Sequence, residues 1–296
     1  MSQRRTELVA AAALVGVTAV WGSTFVVVKD AIERMPVLDF LTWRFAIAAG
    51  AMLLVRPRSV AQLGKDGRRK GAWLGLALGV GYITQTFGLA HTRASVSGFI
   101  TGLFVVFTPL IAALLLRKSV TRMAWIAVTL ATGGLALLSL RGFSIGFGEA
   151  LTVLTAIAFA AHIVGLGEWS AGRDPVGLAV VQLLVVAVLC GVPAIGGRLA
   201  MPPDAGVWGA LLLTSLAATA VGFLVQTWAQ SHLSPTRTAV VLTMEPVFAG
   251  VFGVLVAGDS FGLRTASGAF LVLVAMLLVE VGPRDGAEGA VERLEV

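Results

Sequence analysis

Residues 85–109 read QTFGLAHTRASVSGFITGLFVVFTP, and residues 226–246 read QTWAQSHLSPTRTAVVLTMEP. Each stretch opens on Gln-Thr-aromatic, passes a helix break, and closes on Thr-Pro or Glu-Pro in the middle of the next apolar run. The glutamines stand 141 residues apart and the prolines 137, so the first copy carries four extra residues, about one helical turn. Pro36 and Pro175 open two further apolar runs at an offset of 139. Three matches in register divide the chain into halves at 1–140 and 146–281, followed by a short polar tail at 282–296.

The solvent for these halves is lipid. The chain is 57% hydrophobic and 13% charged, with a mean hydropathy of +0.91. A water-soluble chain of 296 residues would leave too much of that apolar surface wet. Ten runs approach the roughly 20 apolar residues that a bilayer requires: 7–28, 36–55, 71–92, 94–116, 123–140, 148–168, 175–196, 206–229, 236–257 and 262–281. Helices are required because lipid offers the backbone no hydrogen-bond partners, and the runs lack the alternation of a barrel strand. The start MSQRR and the apolar run behind it mimic a secretory signal, but the run continues past Trp21 and is read as an uncleaved first span. Cys190 is the only cysteine, which excludes an intrachain disulfide.

With the N-terminus placed in the cytoplasm, fifteen lysines and arginines fall inside and six outside. Positive charge concentrates on cytoplasmic loops, so both termini are expected inside. The net charge of +6 is then a topology signal rather than a nucleic-acid footprint, with anionic lipid a secondary contact. Because five is odd, the second half enters the membrane from the opposite face. The expected fold is an all-α polytopic membrane protein of ten transmembrane helices in two inverted five-helix repeats. Such repeats surround a midplane site and support alternating access, the mark of a secondary transporter.

The phrases VWGSTFVVVK (20–29), RMPVLDFLTWRF (34–45) and LTMEPVFAGVFGVLVAGDSF (242–261) resemble the EamA family of the drug/metabolite transporter superfamily. Their order and spacing carry the likeness over nearly the whole chain. The resemblance implies export or exchange of small metabolites, often amino acids, across the bacterial inner (plasma) membrane. The subgroup it points to is the YddG-type exporters of aromatic and hydrophobic amino acids. One departure concerns the end of the ninth span, where GDSFGLR keeps only Asp259 of a more acidic family pattern.

Several residues are candidates to face a solute path. Gln85 and Gln226 are read as pseudo-symmetric rims of one cavity, against the blander reading of interhelical hydrogen bonds. Trp21, Tyr82, Phe99 and Trp228 are candidates to stack on an apolar or aromatic substrate, with packing as the alternative; Trp73 and Trp125 suit the interfacial belt better. His162 alone among the three histidines lies well inside a span, and is read first as hydrogen-bonded structure and second as a proton site. Arg44 and Glu245 are intramembrane charges at similar expected depth. For Arg44 a structural role is preferred over an ion pair with Glu245 or capture of a substrate carboxylate. Pro109 and Pro246 are expected to kink spans 4 and 9. Small-residue stripes at Gly71, Gly75 and Gly79, at Gly98 and Gly102, and at Gly133-Gly134 read as close helix packing.

Rival functions find little support. No HExxH motif occurs, no aspartates pair within spans, and no base can be assigned to Ser97, so an intramembrane enzyme is the weakest reading. A passive channel would call for charge rings or a filter sequence. The short connections hold no nucleotide-binding loop. No cofactor or metal is implied, and the expected partners are a small-molecule substrate and the lipid bilayer, with no nucleic acid. A monomer is compatible with all of this, and the driving force stays open between exchange, proton antiport and facilitated diffusion.

Overall fold

A computed structural model describes residues 3–116, 122–139, 146–258 and 262–281. Asp259 and the tail 282–296 lie outside the described residues, as do Arg117, Lys118 and Arg141 from the charge count. The described chain is helical. It comprises α1 (Gln3–Ile32), α2 (Val37–Val55), a single-turn α3 (Ser59–Gln62), α4 (Gly64–His91), α5 (Ala94–Thr101), α6 (Phe104–Leu116) and α7 (Arg122–Ser139). It continues through α8 (Phe147–Trp169), α9 (Pro175–Gly196), α10 (Ala205–Leu212), a π-helical segment (Leu213–Val221) and α11 (Gly222–Gln230). The last helices are α12 (Pro235–Leu242), α13 (Met244–Leu255) and α14 (Leu263–Val281).

Among the described residues, eight helical runs are long and apolar enough to cross a membrane. Runs 94–115, 205–230 and 237–255 each combine consecutive elements. The expected fifth and tenth spans are present as α7 and α14, but their apolar stretches, Trp125–Gly134 and Ala266–Ala275, are shorter. These two helices pack against each other. Elsewhere α4 packs on α8 and α9, α2 on α9, α1 on α13, and α6 on α8. The π segment also packs on α2, and α11 on α1, the counterparts of α4 on α9 and on α8 when residues 1–140 and 146–281 are exchanged.

Two helices are longer than their apolar runs. In α4 the helix starts at Gly64, ahead of the expected 71, because nothing in Lys-Asp-Gly-Arg-Arg-Lys stops it and its charges find partners: Asp66 pairs with Lys70 at 3.0 Å and with Arg173 at 2.9 Å. Small residues then set the helix spacing. A Cβ on Gly71 would lie 2.9 Å from Val181, on Gly75 2.7 Å from Val185, and on Gly79 2.6 Å from Leu189, so the stripe on α4 is where α9 docks. Gly98 and Gly102 do the same for α13, against Ala249 and Pro246. Gly133 is exposed and a Cβ there would meet nothing within 4 Å among the described residues, whereas Gly134 is buried.

Three of the apolar runs are interrupted, the fourth and ninth among them, where kinks are expected at Pro109 and Pro246. The fourth run is interrupted at Gly102–Leu103, where Val105 and Val106 close tight i→i+3 bonds on Gly102 and Leu103. The helix then runs through Pro109, so the break precedes that proline by six residues instead of lying at it. The ninth run breaks at Thr243. There the reason is Pro246, which lacks an N–H and crowds the carbonyl four residues back, while its place in the first turn of α13 needs no N–H. The two breaks meet, since a Cβ on Gly102 would lie 2.7 Å from the Pro246 ring. The eighth run widens into the π segment, where the Gly222 N–H reaches the Ala217 carbonyl five residues back.

Candidate functional site

Two long-range side-chain hydrogen bonds fall on the π segment. Trp21 on α1 donates its indole Nε1–H to the Ala218 carbonyl at 2.6 Å. Arg44 on α2 donates Nε–H to Thr219 Oγ1 at 2.8 Å. Both acceptors belong to the widened turns, and π-helical turns are frequent at functional sites. Gly222 completes the seat for Trp21, because a Cβ there would lie 2.8 Å from the indole nitrogen.

These contacts line a cavity of about 50 Å³ between the two halves of the chain. Of the expected site residues, Trp21, Tyr82, Gln85, His162, Gln226, Arg44 and Glu245 all face it. Phe99 and Trp228 do not. Phe99 turns away into a cluster with Val105, Ala131 and Ala275, and its ring sits over Gly250. Trp228 stacks beside His232 at 5.3 Å. Trp73 and Trp125 are exposed, as are His91 and His232.

Tyr82 is the hub of the aromatic wall. Its ring meets Phe45 at 4.8 Å, Phe159 at 5.4 Å and Phe223 at 6.0 Å between centroids. Phe223 in turn meets Trp21 at 5.4 Å and His162 at 6.1 Å. The Arg44 guanidinium carbon lies 4.9 Å from the Tyr82 ring centre, a cation–π arrangement. Arg44 therefore offsets its burial through a hydroxyl and two aromatic rings. It shares the cavity wall with Glu245, near enough for their charges to act on each other, but no direct ion pair joins them among the described residues.

The polar groups are held by partners that sequence reasoning did not assign. Gln182 donates its Nε2–H to the Leu178 carbonyl at 3.0 Å, so its Oε1 accepts from His162 Nε2 at 2.6 Å. Gln230 donates to the Ile163 carbonyl at 2.8 Å and accepts from Gln226 Nε2 at 3.0 Å. This leaves Gln226 Oε1 buried without a partner. Gln85 donates to Thr101 Oγ1 at 3.3 Å. Glu245 lies in the first turn of α13, directly after the break at Thr243, where the helix dipole favours a negative charge. Gly22 makes room for it: a Cβ there would lie 2.8 Å from the Glu245 carbonyl oxygen. Among the described residues no group of histidines, cysteines or carboxylates could hold a metal ion.

A multi-pass helical membrane protein with a mixed aromatic and charged internal cavity belongs to the class of small-solute transporters. The model of the EamA-like transporter family matches residues 8–140 and again 146–281, and the chain belongs to that family. An uncharacterized transporter of Archaeoglobus fulgidus is 34% identical over 266 residues, covering 90% of this chain and 83% of its own. The pseudopaline exporter CntI of Pseudomonas aeruginosa is 24% identical over 252 residues, covering 84% of this chain and 88% of its own. A solved crystal structure superposes with a TM-score of 0.73 at 15% identity, over 97% of this chain and 99% of that one, and shows the same fold. Family membership makes the chain a secondary transporter of small metabolites and not an enzyme.

Proposed function

We propose that the chain exports or exchanges amino acids with aromatic or hydrophobic side chains, by alternating access of two inverted five-helix repeats. The observation that carries this reading is the cavity wall. It draws rings from both halves, Trp21 and Tyr82 from one and Phe159 and Phe223 from the other, around charges of both signs at Arg44 and Glu245. Rings suit an apolar side chain, and opposite charges suit a zwitterion. The counterpart helix pairings support the repeat. The pseudopaline exporter among the relatives supports outward transport.

The ion pairs support the sorting of the loops onto two faces, and the bias of lysine and arginine assigns the face with both termini to the cytoplasm. Arg34 with Asp204 joins two loops expected outside; Arg173 with Asp66, Arg56 with Asp174, and Arg237 with Glu7 join segments expected inside. Counterflow in proteoliposomes tests the mechanism. Unlabelled phenylalanine or leucine inside should accelerate entry of the labelled amino acid, because a carrier returns faster when loaded. Entry that is indifferent to the trans side would identify a passive channel. Single cysteines at 85 and 226 should react from opposite faces, and equal reactivity from one face in every condition would remove the paired-rim model.

A further inference from the structure

Donors and acceptors on the cavity wall are not evenly satisfied. Trp21 Nε1 is committed to Ala218, Thr24 Oγ1 to the Trp21 carbonyl and Thr86 Oγ1 to the Tyr82 carbonyl. Gln85 Nε2, Gln226 Nε2 and His162 Nε2 donate to Thr101, Gln230 and Gln182. The acceptors are left over. Gln226 is 2% exposed, and its Oε1 takes no hydrogen bond because the Gln230–Ile163 relay fixes the amide the other way round. The Glu245 carboxylate, 7% exposed, has no hydrogen-bond donor among the described residues. A buried acceptor is seldom left unmatched in a folded protein unless a ligand or water completes it.

Resting on the transporter reading of this cavity, we propose that its recognition pole is for a protonated amine on an aromatic or apolar body, held by Glu245 and Gln226 Oε1, and that a substrate carboxylate is dispensable. An ammonium has three donors and no acceptor, which complements two vacant acceptors. The faces of Trp21, Phe223 and Tyr82 add quadrupole attraction for a cation and bury its apolar body. Gln85 and Gln226 each keep a second amide N–H, and Arg44 is the charged wall donor with N–H groups to spare, which makes it the rival anchor. Its Nε is already given to Thr219, and its guanidinium rests against Tyr82.

A ligand series on the detergent-purified wild-type protein, read by direct binding, separates the two anchors. Phenethylamine and L-phenylalanine should bind within about tenfold of each other, while N-acetyl-L-phenylalanine and 3-phenylpropionate, which keep the carboxylate and lose the cation, should not compete. Glu245→Gln should weaken phenethylamine by about tenfold or more, with Glu245→Asp recovering part of the loss. Binding of 3-phenylpropionate with no binding of phenethylamine would overturn the proposal in favour of Arg44, and the wild-type series alone decides this if a variant does not fold. The two readings fail separately. Phenylalanine counterflow with phenethylamine inert would sink the amine pole and leave the carrier standing. Phenethylamine binding without trans-acceleration by any solute would do the reverse.

Discussion

Trp21 rests its ring on Phe223, fits against the bare face of Gly222 and gives its indole hydrogen to the π segment, so one side chain ties α1 to the widened turn. Trp21→Phe keeps the ring and strands the buried Ala218 carbonyl, which should lower unfolding stability in detergent by about 1–3 kcal/mol. Arg44→Lys should lose the Nε bond and the planar stack on Tyr82, a loss of about 1–3 kcal/mol read the same way, with transport retained if the residue is structural. The residue scale also shows what a repeat can disclose. Tyr82 precedes Gln85 by three residues, and Phe223 precedes Gln226 by three, so the offset of 141 pairs the two rings that meet in the cavity. Phe223 was therefore legible. Trp228 was misplaced for a simple reason: two residues from Gln226 is about 200° around the helix, so both cannot face one cavity. Phe104 and Phe159 carried no signal, because a phenylalanine in an apolar run reads alike whether it faces lipid or a cavity.

Elements meet here through backbones, and the glycines report where. A Cβ on Gly22 would fall 2.7 Å from the Ala249 nitrogen and 2.8 Å from the Glu245 oxygen, main-chain atoms that cannot swing aside. Gly22→Leu should separate α1 from α13, with a penalty of at least about 1–3 kcal/mol, seen as lost folded yield and lost transport. Gly133 on α7 meets nothing, so Gly133→Ala should be neutral or stabilising by up to about 1 kcal/mol through helix propensity alone. Both residues sit in similar apolar surroundings in the sequence. Only the neighbour across the interface distinguishes them. The helix breaks follow the same rule: Pro246 announces its own, whereas the interruption at Gly102 lies against Pro246 of α13, a neighbour that the local sequence does not name.

Across the whole molecule the two halves exchange ion pairs as well as helices. Arg34 and Arg173 each stand two residues before the proline that opens the second helix of their half, and each pairs with an aspartate, Asp204 or Asp66, at the start of a helix in the other half. Reporter tags after residues 60 and 200 should accordingly appear on opposite sides of the bilayer. The same side for both would exclude inversion. The Asp204 carboxyl is held below its ordinary value of 3.8, first by the Val207 N–H and then by Arg34. A lowered acid value means its contribution is complete above the ordinary carboxylate range and is lost only as pH falls through the folded value. The latch should therefore stay closed from about pH 8 to about pH 5 and loosen in stronger acid, readable as crosslinking yield between cysteines placed beside it.

The membrane solvent and the helical class follow from composition and run length, because a bilayer imposes one requirement on every backbone it contains. Gln85, Gln226, His162, Arg44 and Glu245 stood out because a polar group in an apolar run is expensive wherever it points. What each of them touches was decided by folding alone. Thr219 meets Arg44 from 175 residues away and Gln182 meets His162 from the next helix, whereas Gln230 lies one turn from Gln226 on α11 and reaches the Ile163 carbonyl of α8. Periodicity along one helix carries no record of the neighbour that packs against it, so the site's bonds between helices exist only once the bundle has closed.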